Sequence, residues 1–213
     1  MQVNKYLSLL APPVLLVAAT VKAEPTPDST SDPATNRPPV VVSSKQEFVT
    51  GLPPATRIYV TNGPETYALL TPAGYRLDNS VQDRIQLVNE KYDCFMTFRV
   101  VSTEREDKTQ SDSAYYRALL SDRYPDIKIF KEFSQEAGGL PGLAFDFQWQ
   151  GQARTIRASR VVFIPSSTGI LEFSLVCSSD KFGRVQNDFH LLLLTFRAGE
   201  SGRLKTMPRS NSL

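Results

Sequence analysis

Between Gly142 and Arg197 the hydrophobic period of the chain switches once, from two residues to nearly four, and few architectures accept that switch. Leu143, Phe145, Phe147 and Trp149 recur at every second position, with Ala144, Asp146 and Gln148 between them. That is the pattern of a strand buried on one face. Gly151 and Gln152 turn the chain. Arg154 to Pro165 and Ile170 to Ser178 are rich in β-branched and aromatic residues, and Ser166, Ser167, Thr168 and Gly169 between them predict a four-residue hairpin loop. Leu171, Phe173, Leu175 and Cys177 share a face of the second of these strands. Beyond Asp180, Val185, Phe189, Leu192, Leu193 and Phe196 fall at helical offsets, so the last element is a helix with one apolar stripe. A sheet with one apolar face and a helix with one apolar stripe bury each other. The expected class is α+β, a single antiparallel β-sheet packed by helices.

The residues upstream fit the same scheme. Arg57 to Thr61 and Tyr67 to Thr71 are short candidate strands around an Asn62-Gly63-Pro64 turn, and Pro72, Ala73 and Gly74 turn into Tyr75 to Leu77. Asp83 to Asn89 and Cys94 to Ser102 alternate as a hairpin, with Ile85 and Leu87 facing in. Glu104 to Lys108 reads as a solvated loop. Ser111 or Asp112 caps a helix that runs to about Arg123, with Ala114, Tyr115, Ala118 and Leu119 as its apolar side. Pro125 ends it. Ile127 to Ser134 is a further strand, and the glycine-rich Ala137 to Gly142 bends it into the stretch described first.

The two ends are of different composition. Lys5 precedes an apolar run from Tyr6 to Val21, and Val21 and Ala23 offer small residues for a cut after Ala23, the pattern of a secretory signal peptide over residues 1–23. The run is about 16 residues and holds Pro12 and Pro13, short of the roughly 20 that span a bilayer. No stable membrane span is therefore expected once the signal is removed. Residues 24–55 begin with five prolines among Ser, Thr, Asp and Asn and are expected to be a disordered linker. The folded domain is expected over 56–197, followed by a loose basic tail over 198–213. With 213 residues, one domain plus tails is the natural division.

Export is expected to place the protein in the periplasm or outside the cell, where a pair of cysteines can persist as a disulfide. Cys94 is in phase with Met96, Phe98 and Val100, and Cys177 with Leu175 and Phe173, so both thiols are expected to face the core. A bridge would close a loop of about 83 residues, worth roughly 4–5 kcal/mol on the chain-entropy account. Two separately buried thiols are the alternative.

Charge and motifs exclude more than they assign. Twenty-four basic and 22 acidic residues leave a formal net charge of +2, without the basic stripe of a nucleic-acid binder. Arg154, Arg157 and Arg160 do not share one strand face and read as solvated edge charges. His190 is the sole histidine and, with no cysteine cluster beside it, makes no ordinary zinc site. No nucleophile elbow accompanies it. Gly138, Gly139 and Gly142 precede a strand, not the helix that a phosphate cradle needs. No catalytic, metal or cofactor residue is assigned. Tyr75 and Trp149 stand near turns; most such aromatics are core, and the remainder anchor partners, so these two are the candidate partner-contact aromatics.

The order of elements, with Thr71-Pro72-Ala73-Gly74-Tyr75, Arg160-Val161-Val162-Phe163, Leu171-Glu172-Phe173-Ser174-Leu175 and Leu194-Thr195-Phe196-Arg197, resembles the PsbP-like fold over about residues 56–197. That fold is shared by the photosystem accessory protein PsbP, Ran-binding nuclear proteins and bacterial envelope proteins. Tyr75 stands where many relatives have tryptophan. The resemblance implies an α/β/α sandwich and a non-catalytic scaffold that binds another protein, and it carries over no catalytic residue. An exported accessory protein acting through protein contact is thus the expected function. A carrier of a lipid or other apolar ligand would instead need a cavity among Phe145, Phe147, Phe173, Phe189 and Phe196. A hydrolase would need a cleft with a strongly perturbed carboxylate.

Overall fold

The structure is a computed structural model and describes residues 41–47, 55–80, 84–101, 112–124, 126–151, 154–167 and 169–200. The signal segment, the charged loop Glu104 to Lys108, most of the linker and the tail beyond 200 lie outside the described residues.

In chain order the elements are β1 (Val41–Glu47), β2 (Ala55–Asn62), β3 (Glu65–Leu70), β4 (Arg76–Asp78), β5 (Ile85–Asn89), a 3-10 turn at Glu90–Tyr92, and β6 (Cys94–Val101). Then come α1 (Ser113–Arg123), β7 (Lys128–Ala137), β8 (Leu140–Gln150), β9 (Ile156–Ser166), β10 (Gly169–Ser178), α2 (Phe182–Thr195) and β11 (Arg197–Glu200). All the pairings are antiparallel.

The α+β class holds, but the single sheet does not. The strands form a seven-stranded sheet in the order β4-β5-β6-β10-β9-β8-β7 and a four-stranded sheet in the order β1-β2-β3-β11. The division falls at the Pro72–Gly74 turn, where the Tyr75 amide donates to the Pro72 carbonyl and Gly74 sits at φ +82°. Proline brings no donor to a ladder, so β3 stops there and the chain crosses to the larger sheet. Sheet membership is then decided by pairings far apart in sequence, such as β3 with β11, which no local period encodes.

The large sheet is apolar on both faces. On one face α2 and strands β2 and β3 of the small sheet enclose Met96, Phe98, Val162, Phe173, Leu175 and Phe196. On the other, α1 covers Phe145, Phe147, Val161, Phe163 and Ile170. Helices therefore lie on both faces, as a sandwich requires, with the second sheet sharing the α2 side.

Local features mark the start of α1 and the end of α2. The Asp112 carboxylate accepts the Tyr115 amide at 2.9 Å and caps α1. Its buried side is Tyr116 and Leu120, with Tyr115 and Leu119 half-buried and Ala114 and Ala118 exposed. The expected stripe is thus rotated by about one residue: a wide tyrosine outweighs two alanines, and the Tyr116 ring stacks on Phe163 at 4.4 Å. Helix α2 ends at Phe196, whose ψ of 140° is already extended and feeds β11.

Two segments expected to be unstructured pair as strands. Residues 41–47 of the linker pair with β2, and residues 198–200 of the tail belong to β11. Neither has apolar alternation: β1 buries no side chain, and backbone pairing alone holds it beside the Glu47–Arg57 ion pair at 2.7 Å.

Candidate functional site

Three of the four residues singled out from sequence meet in one place. Cys94 opens β6 and Cys177 nearly closes β10, and the two are direct partners across the β6–β10 ladder. Both lie in the core on the α2 side, and both are free thiols. The Pro72–Gly74 turn drops Tyr75 onto them, with its hydroxyl 3.4 Å from Cys94 Sγ. At 8% exposure the Tyr75 ring is core, which removes it from the surface where a partner would find it.

Asp188, which the sequence did not single out, is the fourth member. It stands on α2 between Val185 and Phe189, beside the apolar stripe, and is close enough to the Tyr75 hydroxyl for each to act on the other's titration. Burial raises its carboxyl above the ordinary range, with the Tyr75 hydroxyl opposing. Burial likewise pushes Cys94 up to about 11, with the Tyr75 hydroxyl opposing. Cys177 is pushed up to about 12, by burial first and then by Cys94. Tyr75 is raised as well, by burial and by its bond to Cys94. The thiols are therefore protonated at neutral pH, and a protonated thiol is a poor nucleophile and metal ligand. Among the described residues no three His, Cys, Asp or Glu side chains gather as a metal would need.

Trp149 is elsewhere, on the α1 face. It is half-buried, its Nε1 donates to Ser159 Oγ at 2.8 Å, and its ring lies 5.0 Å from that of Tyr124. Beside Tyr124, Glu172 of β10 is buried and shared by two guanidiniums: Arg123 bonds it at 2.6 and 3.1 Å, and Arg99 at 2.9 Å. The same face carries a Thr97–Ser174 hydroxyl pair at 2.6 Å. Glu172 alternates with apolar neighbours and is invisible to a search for motifs.

The arginines of β9 are not solvated edge charges. Arg160 makes a two-pronged contact with buried Asp146 at 2.6 and 2.7 Å and lies 4.9 Å from the Phe133 ring. Arg157 binds Asp93, the residue just before β6. Surface apolar groups are of another origin: Phe130 is 54% exposed where a bulge interrupts β7, Leu191 and Leu194 stand on the outer side of α2 near exposed His190, and Ile156 opens β9.

No protein family matches the chain by sequence, and no curated protein matches it. Solved structures do. Cyanobacterial PsbP (CyanoP) from Synechocystis sp. PCC 6803 is 13% identical, with 62% of this chain and 86% of that one covered and a TM-score of 0.45. The Ran-binding protein Mog1p of Saccharomyces cerevisiae is 9% identical, covering 74% and 96%, with a TM-score of 0.43. LpqN of Mycobacterium tuberculosis, described as involved in cell envelope biogenesis, is 13% identical, covering 74% and 91%, with a TM-score of 0.44. At such identities a likeness concerns the course of the chain, and no residue role is taken from it.

Proposed function

We propose that the protein is an exported, non-catalytic domain that works by contact with another protein at the cell envelope or outside the cell. The observation that carries this reading is the way the cores are filled. The five phenylalanines that a carrier would need around one cavity are divided between opposite faces of the large sheet, Phe173, Phe189 and Phe196 on one and Phe145 and Phe147 on the other. All five are fully buried, and four of them meet other rings: Phe173 lies 4.9 Å from Phe196 and 5.0 Å from Phe98, Phe145 lies 6.1 Å from Phe163, and Phe147 lies 5.1 Å from Tyr124. Side chains of the protein itself occupy the space that an apolar ligand would take. Apolar side chains are left outside at Phe130 and Ile156 and, one turn apart on α2, at Leu191 and Leu194.

Export rests on the apolar run and the small residues before Glu24. None of the described helices is long and apolar enough to cross a membrane. Burial keeps the thiols of the Tyr75 cluster protonated, so the two cysteines are poorly suited to act as nucleophiles in the folded domain.

Native mass spectrometry of the protein drawn gently from its source tests the reading. A chain starting at Glu24 and accompanied by a second polypeptide at fixed stoichiometry is expected. A small apolar molecule travelling with it would replace the binder by a carrier, and an intact amino terminus on a chain retained inside the cell would remove export.

A further inference from the structure

We propose that Cys94 and Cys177 are a disulfide site that is closed while the domain folds. They are opposed in the β6–β10 ladder, and their side chains point to the same, α2, side of the sheet. Residues directly opposed in an antiparallel ladder have Cα atoms about 4.5 or about 5.5 Å apart. Both separations lie within the roughly 4.4–6.8 Å that a disulfide bridges. No register has to change for the bond to form; closing it draws the two Cβ atoms from the roughly 4.5–5.5 Å of an opposed ladder pair to the roughly 3.5–4.5 Å of a disulfide, a local adjustment of the two strands.

The order of events follows from burial. In the folded chain Cys94 is 2% and Cys177 0% exposed, beneath α2 and the Tyr75 turn. An oxidant has no path to either sulfur once those two elements have closed over them. Before they close, both thiols are in water and have the ordinary reactivity of cysteine. The bond therefore forms on the unfolded or partly folded chain, and the packed core then shields it from reductants in the same way.

The oxidant is itself a disulfide, either a small molecule or the active-site disulfide of an oxidoreductase. One cysteine, as thiolate, attacks a sulfur of that disulfide, forming a mixed disulfide and releasing one oxidant thiolate. The second cysteine, as thiolate, attacks the first cysteine's sulfur, forming the Cys94–Cys177 bond and releasing the other. Two electrons pass to the oxidant, and the two protons given up by the cysteines balance those taken up by its thiolates.

The site is a property of the ladder, and only the cellular source of the oxidant rests on the export reading. The two are therefore tested apart. The whole chain is unfolded with reductant, transferred to oxidised glutathione, refolded, and treated with a thiol alkylator under denaturing conditions. A product two hydrogens lighter than the reduced chain, with no alkylated cysteine and a linked Cys94–Cys177 peptide, is expected. Alkylation of both cysteines, or glutathione left on either one, would overturn the proposal. The folded reduced chain offered the same glutathione should react at least ten times more slowly, and equal rates would overturn the order of closure. The oxidised chain should melt roughly 10 °C above the reduced one, a difference that the C94S/C177S double variant lacks. Free thiols in protein drawn from its source, alongside successful closure in glutathione, would count against export and leave the site standing.

Discussion

Glu172 holds two guanidiniums, so its loss does more damage than the loss of either arginine. Glu172→Ala leaves Arg99 and Arg123 facing each other, each about a quarter to a third exposed. Water reaches both, so the expected cost is about 2–3 kcal/mol, below the roughly 3–5 of a fully buried pair. Urea unfolding should place Glu172→Ala below both Arg99→Ala and Arg123→Ala in stability. A different constraint acts at the β7–β8 turn. Gly138 and Gly139 both have positive φ, but a Cβ on Gly138 would lie 2.3 Å from the Phe196 carbonyl oxygen, whereas one on Gly139 meets nothing within 4 Å. Gly138→Ala should therefore cost clearly more than Gly139→Ala, whose penalty is the conformational one of roughly 1 kcal/mol. Asp188 predicts a pH dependence. Its folded pKa is raised, so between its unfolded and folded values the folded state binds more protons and stability falls as pH rises through that window. Melting curves across the acid range should show this contribution in the native chain, and Asp188→Asn should lack it. Tyr75, Cys94 and Cys177 were each legible from sequence, two by phase and one by its turn. Their meeting was not, because it depends on the β6–β10 register and on where the Pro72–Gly74 turn lands. Asp188 gave no signal, since a lone carboxylate beside a helical stripe looks like any solvated one.

At the scale of elements, α1 shows how far a period can be trusted. Cap, length and stop were readable from Asp112 and Pro125, yet the buried side was set by which ring found Phe163. Tyr116→Ala should cost about 3–5 kcal/mol, while Ala118→Ser, on the exposed side, should stay within roughly 0.5 kcal/mol. Chemical denaturation separates the two. The hairpin β9–β10 and helix α2 were legible because each carries several large apolar residues in strict phase. β1 and β11 were not, because strands that bury little have no period to read. β1 should accordingly matter little to the core: deleting residues 41–47 should keep the near-ultraviolet circular dichroism and lower the melting midpoint by less than about 4 °C. A larger loss would mean that the ladder to β2 contributes more than its exposed side chains suggest.

At the scale of the molecule, composition and the position of the apolar periods were enough for the class, and the number of sheets was not. Two layers of contact decide it, β3 with β11 and the shared core of the small sheet with α2, and both join residues more than a hundred positions apart. The apolar surface at Phe130, Leu191, Leu194 and Ile156 is spread over β7, α2 and β9, and it is the outer counterpart of cores that are already full.

The described chain enters this arrangement through β1 and leaves it through β11, the two outer strands of the four-stranded sheet. Each is held by a single ladder. If the protein is pulled between its ends, by a tether on one side and a bound partner on the other, tension reaches the small sheet first. β1, with no side chain buried, detaches before anything else, and β11 is the corresponding weak link at the other end. The seven-stranded sheet carries no load until those outer strands have gone, so the domain can yield in length at its margins while its centre stays folded.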